Sequence, residues 1–218
     1  MSRRTVALGP AHVEALETLA ACTGWLRAPG GAGDGKADWV RATTADWGTC
    51  GLVALAAEEP VGYVVYAPPA HLPGLARLPT APPSPDALVL AEVWVDPAHR
   101  GGGLGRHLVR AGVRDLVDRY GARAPALETF ARAGDTRDRR DTGGTDGPDA
   151  DDPCLRSIGF CEALGFIERR AHPVVTRMRL EPRAALDWRG GVEHALERLR
   201  AGVRPAPGAA AGMTRPRA

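Results

Sequence analysis

A short apolar run, Leu90-Ala91-Glu92-Val93-Trp94-Val95, stops at Asp96-Pro97 and gives way to His99-Arg100-Gly101-Gly102-Gly103-Leu104-Gly105-Arg106. Glycines at 101, 102, 103 and 105 leave the backbone N–H groups open to close approach, because no Cβ stands in front of them. An amphipathic stretch begins directly after them, so they sit where a helix opens. The first N–H groups of a helix have no partner within it, and the aligned peptide dipoles favour an anion there. Arg100 and Arg106 add positive charge at the same end. The chemistry on offer is the capture of a phosphate-bearing ligand, and spacing narrows which one. A dinucleotide fingerprint wants glycine at its first, third and sixth positions; counted from Gly101 the sixth is Arg106, and counted from Gly103 it is Leu108. A P-loop ends in Gly-Lys-Ser/Thr, and the only lysine of the chain is Lys36. Both nucleotide patterns fail.

The elements around this turn follow from periodicity. Leu104, Leu108, Gly112 or Val113, Leu116, Val117 and Tyr120 recur at spacings of three and four and predict a helix over 104–120, stopped by Gly121. Arg106, Arg110 and Arg114 form its wet face, with Arg114–Asp118 and Asp115–Arg119 placed as i,i+4 pairs. Upstream, the pattern predicts a strand at 5–8, a helix from Pro10 and a glycine-rich break over 29–35. A helix over 37–47 and strands at 51–57 and 61–67 follow, the strands joined by Glu58-Glu59-Pro60. The Pro- and Leu-rich stretch 68–85 interrupts regular structure before a central strand at 87–95. Downstream come a strand at 126–130, a helix over 154–164 and strands at 166–171 and 174–181. Residues 131–153 hold seven Asp, four Arg and four Gly with almost nothing apolar, which reads as a mobile insertion.

The run Arg100-Gly101-Gly102-Gly103-Leu104-Gly105 is an Arg-x-x-Gly-x-Gly after a Val-x-Val-Asp-Pro strand end. It resembles the acetyl-CoA-binding motif of the GNAT superfamily of N-acetyltransferases. A second piece, Phe160-Cys161-Glu162-Ala163-Leu164-Gly165-Phe166, looks like that family's (Leu/Phe)-Tyr-Glu-x-Leu-Gly-Phe. The element order is also the family's. The resemblance covers residues 3–182 and extends to a group of actinobacterial GNAT-like proteins with a Trp-containing C-terminal helix. It implies an α/β (α+β) fold: a mixed central β-sheet of about seven strands flanked by four helices and splayed at the acetyl-CoA site. Beyond that domain, 183–202 carries the stripe Val192, Ala195, Leu196, Leu199 of a helical extension, which either packs back or covers a homodimer contact. Residues 203–218, rich in Ala, Pro, Gly and Arg, read as a disordered tail.

What the resemblance implies for chemistry is specific. Arg100, Gly101, Gly102, Gly103, Leu104, Gly105 and Arg106 would hold the CoA pyrophosphate. Val93 and Val95 would lie along the pantetheine arm, and a backbone N–H near Val95 would polarise the thioester carbonyl. Glu92 is the candidate general base: an amine with a pKa near ~10.4 must lose a proton to attack, and a carboxylate among apolar neighbours is poorly solvated. The family's Tyr, which protonates the departing thiolate, is here Cys161, and an Asn that contacts the cofactor arm is here Cys154. Cys161 is thus either a substitute general acid or a packing residue. The implied activity is transfer of acetyl from acetyl-CoA to a primary amine of a small molecule, a peptide N-terminus or a lysine. The alternative is a catalytically weak or inactive acyl-CoA-binding or sensing module.

The acceptor side is less legible. Trp25, Trp39, Trp47, Tyr63, Tyr66, His71 and His172 fall on the elements that build the family's acceptor cleft, although core positions explain the tryptophans equally well. Tyr63 and Tyr66 lie an odd number apart on one strand, so only one can face that cleft. A net charge of +2 gives no nucleic-acid footprint. No apolar run reaches the length of a membrane span, and the expected location is cytoplasmic. The four cysteines, at 22, 50, 154 and 161, form no Cys-x-x-Cys pair and the histidines are scattered. No metal site is expected, and most of the cysteines read as reduced, partly buried thiols.

Overall fold

The structure, a computed structural model, describes residues 3–27, 35–133 and 154–182. Most of the expected 131–153 insertion, the 183–202 extension and the 203–218 tail lie outside the described residues. Strand β1 (Arg3–Ala7) leads into α1 (Pro10–Ala15) and α2 (Glu17–Ala21). The single helix expected from Pro10 is two, because Leu16 is extended (φ −121°, ψ 96°) between them. Helix α3 (Lys36–Asp46) precedes the hairpin β2 (Gly51–Ala56) and β3 (Glu59–Ala67). Ala57 and Glu58 both take positive φ in that turn, as a two-residue hairpin loop requires.

Then come β4 (Ala87–Val95), α4 (Leu104–Tyr120) and β5 (Ala126–Arg132). After the undescribed stretch follow β6 (Arg156–Ser157), α5 (Ile158–Leu164), β7 (Ile167–Arg170) and β8 (Val175–Leu180). The helix expected over 154–164 therefore starts only at Ile158, capped by the Ser157 hydroxyl, which accepts from the Phe160 N–H. Its first residues are spent on a two-residue strand instead. The described residues thus hold eight strands and five α-helices, against an expectation of seven and four.

The sheet order is β1-β2-β3-β4-β5-β8-β7, with β6 added on β5. Neighbours are antiparallel except β4–β5 and β5–β6. Apolar side chains fill both faces. One core gathers Val13, Leu19, Trp25, Val40, Val65 and Phe130 beneath α1–α3. The other gathers Tyr66, Val93, Leu108, Val113, Leu116 and Met178 beneath α4 and α5. Tyr63 and Tyr66 fall in different cores, as strand alternation requires. Of the two helix pairs expected on α4, Asp115–Arg119 forms an ion pair, and Asp115 also accepts from the Tyr66 hydroxyl at 2.7 Å.

The functional consequence of this topology is a split in the sheet. β4 and β5 pair only from Ala87–Ala126 to Val89–Glu128. Opposite the Val65/Tyr66 step of β3, β4 carries an extra residue, Ala91, between Leu90 and Glu92. A bulge of this kind turns the strand and shifts its hydrogen-bonding phase. Beyond it β4 leaves β5, and β5 takes β6 as its partner at Ala131 and Arg132.

A candidate binding groove and the residues around it

Among the described residues, the split leaves one edge of β4 without a ladder partner from Ala91 to Val95. The Asp96 N–H donates to Val61 O at 3.0 Å, toward β3, and strand alternation then turns the Val95 and Val93 N–H groups toward the split. The Arg100 Nε donates to Val95 O at 2.9 Å from that same side. An extended ligand can therefore bind this edge as a strand would.

At the outer end of β4, Asp96 accepts from the Ala98 N–H at 2.8 Å and ends the strand in a single turn, Pro97–His99. Gly101 (φ +82°) and Gly103 (φ +76°) then take left-handed backbone, and a Cβ built on either meets nothing within 4 Å. That empty space in front of the α4 N-terminus is where an anion fits. Gly105 differs: its Cβ would sit 3.5 Å from the Phe160 ring and 3.7 Å from Val95, so it keeps α4 close to α5 and β4.

Together these parts line a groove of about 730 Å³, within the usual size of small-molecule sites. Val93, Val95, Arg100, Gly101, Gly103, Leu104, Gly105 and Arg106 all line it; Gly102, Glu92 and Cys161 do not. Arg106 also donates to Ala163 O at 2.9 Å, so it ties α4 to α5 as well as adding charge. The opposite wall, missed by sequence reasoning, is Arg132, Leu155, Arg156, Ser157, Phe160, Ala163 and Leu164. Only the Phe160–Phe166 heptad signalled part of it. Gly165 ends α5 in left-handed backbone (φ +97°), and Phe166 is buried at 2% exposure.

Glu92 follows strand alternation to the other face of the sheet. Its carboxylate is buried at 3% exposure in an ion pair with Lys36, whose Nζ also donates to Cys22 O at 2.8 Å. Half-buried Trp94 stacks on Tyr63 beside it, with ring centroids 5.6 Å apart. Of the other aromatic candidates, Trp25 and Trp39 are core residues. Trp47 packs over Arg119 at the far end of α4, and His71 meets Asp46. His172 caps its own turn by accepting from the Val174 N–H at 3.1 Å.

Cys22 and Cys154 form a disulfide, with Cα atoms 6.0 Å apart, where reduced thiols were expected. The pair is 132 residues apart in sequence, so only the fold that returns the chain beside α2 brings it together. Cys50 and Cys161 are free and buried. Burial pushes the Cys161 thiol from 9.0 up to about 12. The unfolded thiol ionises from about pH 9 and the folded one only near 12, so its burial contributes stability that is lost as pH rises across that window. So weak an acid, outside the groove, is a poor proton donor at neutral pH. Cys161→Ala is expected to change turnover less than about ten-fold, read as thiol release; a larger loss would give Cys161 a proton-donating role.

Among the described residues no cluster of His, Cys, Asp and Glu could hold a metal, and no helix is long and apolar enough to cross a membrane.

A family model described as Acetyltransferase (GNAT) family matches residues 15–134. No curated protein matches the chain in sequence. Among solved structures, the loading GNATL domain of CurA from Lyngbya majuscula is similar at 8% identity and a TM-score of 0.53. That match covers 84% of this chain and 100% of that one. The ribosomal-protein-alanine N-acetyltransferase from Brucella melitensis is similar at 18% identity and a TM-score of 0.50, covering 81% and 98%. Ard1 from Thermoplasma volcanium follows at 14% identity and a TM-score of 0.49, covering 83% and 97%.

Proposed function

The chain belongs to the GNAT acetyltransferase family, which transfers acyl groups from acyl-CoA, and we propose that its acyl donor is acetyl-CoA and its acceptor a primary amine on a small molecule or peptide. The observation that carries this reading is the unpaired β4 edge running straight into the left-handed glycines at the α4 N-terminus. The edge suits an amide-bearing arm, and the glycine turn suits its phosphates. When bound, acetyl-CoA supplies the activated acyl group, and the residues of the chain do the rest.

In this reading the N–H groups of the 101–105 turn, with Arg100 and Arg106, neutralise the pyrophosphate. The Val93 and Val95 N–H groups hold the arm in register, and one of them donates to the thioester carbonyl oxygen as negative charge builds on it. The amine approaches from the opposite face, across Trp94, toward Glu92, which takes its proton. No dedicated acid is required of Cys161, because a thiolate leaves readily.

The test is release of free thiol with acetyl-CoA and a panel of small amines and peptides, in wild type and Glu92→Gln. A general base acts only when ionised, so the wild-type rate should fall as pH drops. Glu92→Gln should lose at least ~100-fold in turnover and flatten that acid limb, while CoA affinity stays unchanged. An unaltered pH profile would move the proton to water or another group. Thiol release that no amine stimulates would count against the acceptor class.

A further inference from the structure

Among the described residues, four arginines and no carboxylate line the groove: Arg100 and Arg106 on one wall, Arg132 and Arg156 on the other. The first pair stands beside the α4 N-terminus, where the phosphates of the carrier are placed. The second pair needs another explanation, because the arm of an acyl-CoA carries no charge between its phosphates and its thioester.

Strand register says what this second pair faces. β4 and β5 pair as Ala87–Ala126, Leu88–Leu127 and Val89–Glu128, and then separate. Extended past the split, that register sets Ala131 level with Glu92 and Val93. Ala131 already pairs with Thr176 of β8 on its other side, so β6 takes the slot that β4 vacates and holds Arg156 beside Ala131. Arg156 therefore stands across the split from the Glu92–Val93 step, at the acyl end of the carrier edge and away from the glycine turn. Arg132 donates to Leu155 O at 3.1 Å and fastens this segment to β5.

Arg156 is only partly exposed, and burial pulls its pKa below the ordinary guanidinium value, because the charged form is the one that loses solvation. It stays protonated all the same. Glu92 acts on it in the opposite sense, but that carboxylate already has Lys36 as its counter-ion. A partly desolvated guanidinium on a groove wall favours a carboxylate, which it meets with two parallel N–H bonds.

We propose that Arg156 selects the acyl group, and that the groove favours acyl-CoA donors whose short chain ends in a carboxylate, as in malonyl or glutaryl thioesters. This rests on the acyl-CoA reading of the groove and extends its donor. Acetyl-CoA fits through its arm and phosphates, and an acidic acyl group adds one more contact. The transfer itself is unchanged. The amine nitrogen bonds to the thioester carbonyl carbon, the C–S bond breaks, the displaced amine proton ends on the CoA sulfur, and the distal carboxylate stays intact.

Calorimetric titration of the full chain with malonyl-, glutaryl-, acetyl- and isovaleryl-CoA, the last a neutral shape-match for malonyl, reads the selection directly. At least one acidic donor is expected to bind about ten-fold or more tightly than both neutral ones. The gap should close to within about two-fold in Arg156→Gln and be partly kept in Arg156→Lys. The wild-type comparison stands by itself if a variant fails to fold. Acidic donors that bind no more tightly than the neutral ones would overturn the proposal and leave the acetyl-CoA reading standing. A gap that persists in folded Arg156→Gln would place the recognition elsewhere and overturn it too. Dephospho-CoA, which lacks the 3′-phosphate, tests the competing anion. If CoA outbinds it in wild type but not in Arg156→Gln, Arg156 reads that phosphate and the proposal falls. A wild type that binds no CoA thioester would remove the groove reading itself.

Discussion

Gly103→Val is expected to cut CoA affinity by at least ~100-fold in calorimetric titration while leaving the protein folded. Gly103 sits at φ +76° with open space in front of it, at the first turn of α4. A β-branched side chain there costs about 1–3 kcal/mol of backbone strain, too little to unfold a domain of this size. Its volume, however, would fill the place where a phosphate meets the N–H groups. Hydrogen bonds to charged groups contribute about 1.5–3 kcal/mol each, so losing two accounts for the fall. Gly121 supplies the control. It lies at the other end of the same helix, also at positive φ (+60°) and also with nothing within 4 Å of a built Cβ. Its ψ of −129° lies outside the left-handed helical well, so Gly121→Val should carry at least as much strain and yet keep CoA affinity within about two-fold. If the two variants lose affinity alike, strain and not the phosphate site explains the result.

The buried Lys36–Glu92 pair sets up the second large effect, on stability. Removing one partner leaves a charge in the core without its counter-ion, at a cost of about 3–5 kcal/mol. Lys36→Met and Glu92→Leu should each lower the urea midpoint strongly. The double variant should recover most of the loss, because the desolvation of both charges disappears together. Single variants that each cost under about 1 kcal/mol would show that water reaches the pair. Additive losses would show that the two side chains act through separate neighbours.

The phosphate turn was legible because its signal is local. The strand, the glycine spacing and the opening of α4 lie within 17 consecutive residues, Leu90 to Arg106, and each has its own backbone reason. The Phe160–Phe166 heptad was legible for the same reason, with Gly165 in the left-handed backbone that ends α5. Strand β6 was not: Arg156 and Ser157 are too few to carry a period, and they become a strand only because β5 has lost β4 as a neighbour. Glu92 was expected to be poorly solvated, and it is, but its partner Lys36 lies 56 residues away on α3. Nothing in either local sequence announces that pair. The Cys22–Cys154 disulfide is invisible for the same reason. The tryptophans on the acceptor-side elements left two readings open, because residue type alone does not separate a cleft lining from a core. Trp25 at 4% and Trp39 at 9% exposure fill the core.

The single buried lysine also bears on how the protein coexists with its own substrate. Acyl thioesters are electrophiles that modify exposed amines wherever they meet them. Beyond Lys36, every long-chain cation among the 28 lysine and arginine residues is a guanidinium, which stays protonated and does not attack a thioester. One copy therefore presents no lysine side chain to the acyl groups that another copy carries. Solubility and ion pairing are kept in arginine, so the sequence offers no second lysine amine to the very reagent the protein handles.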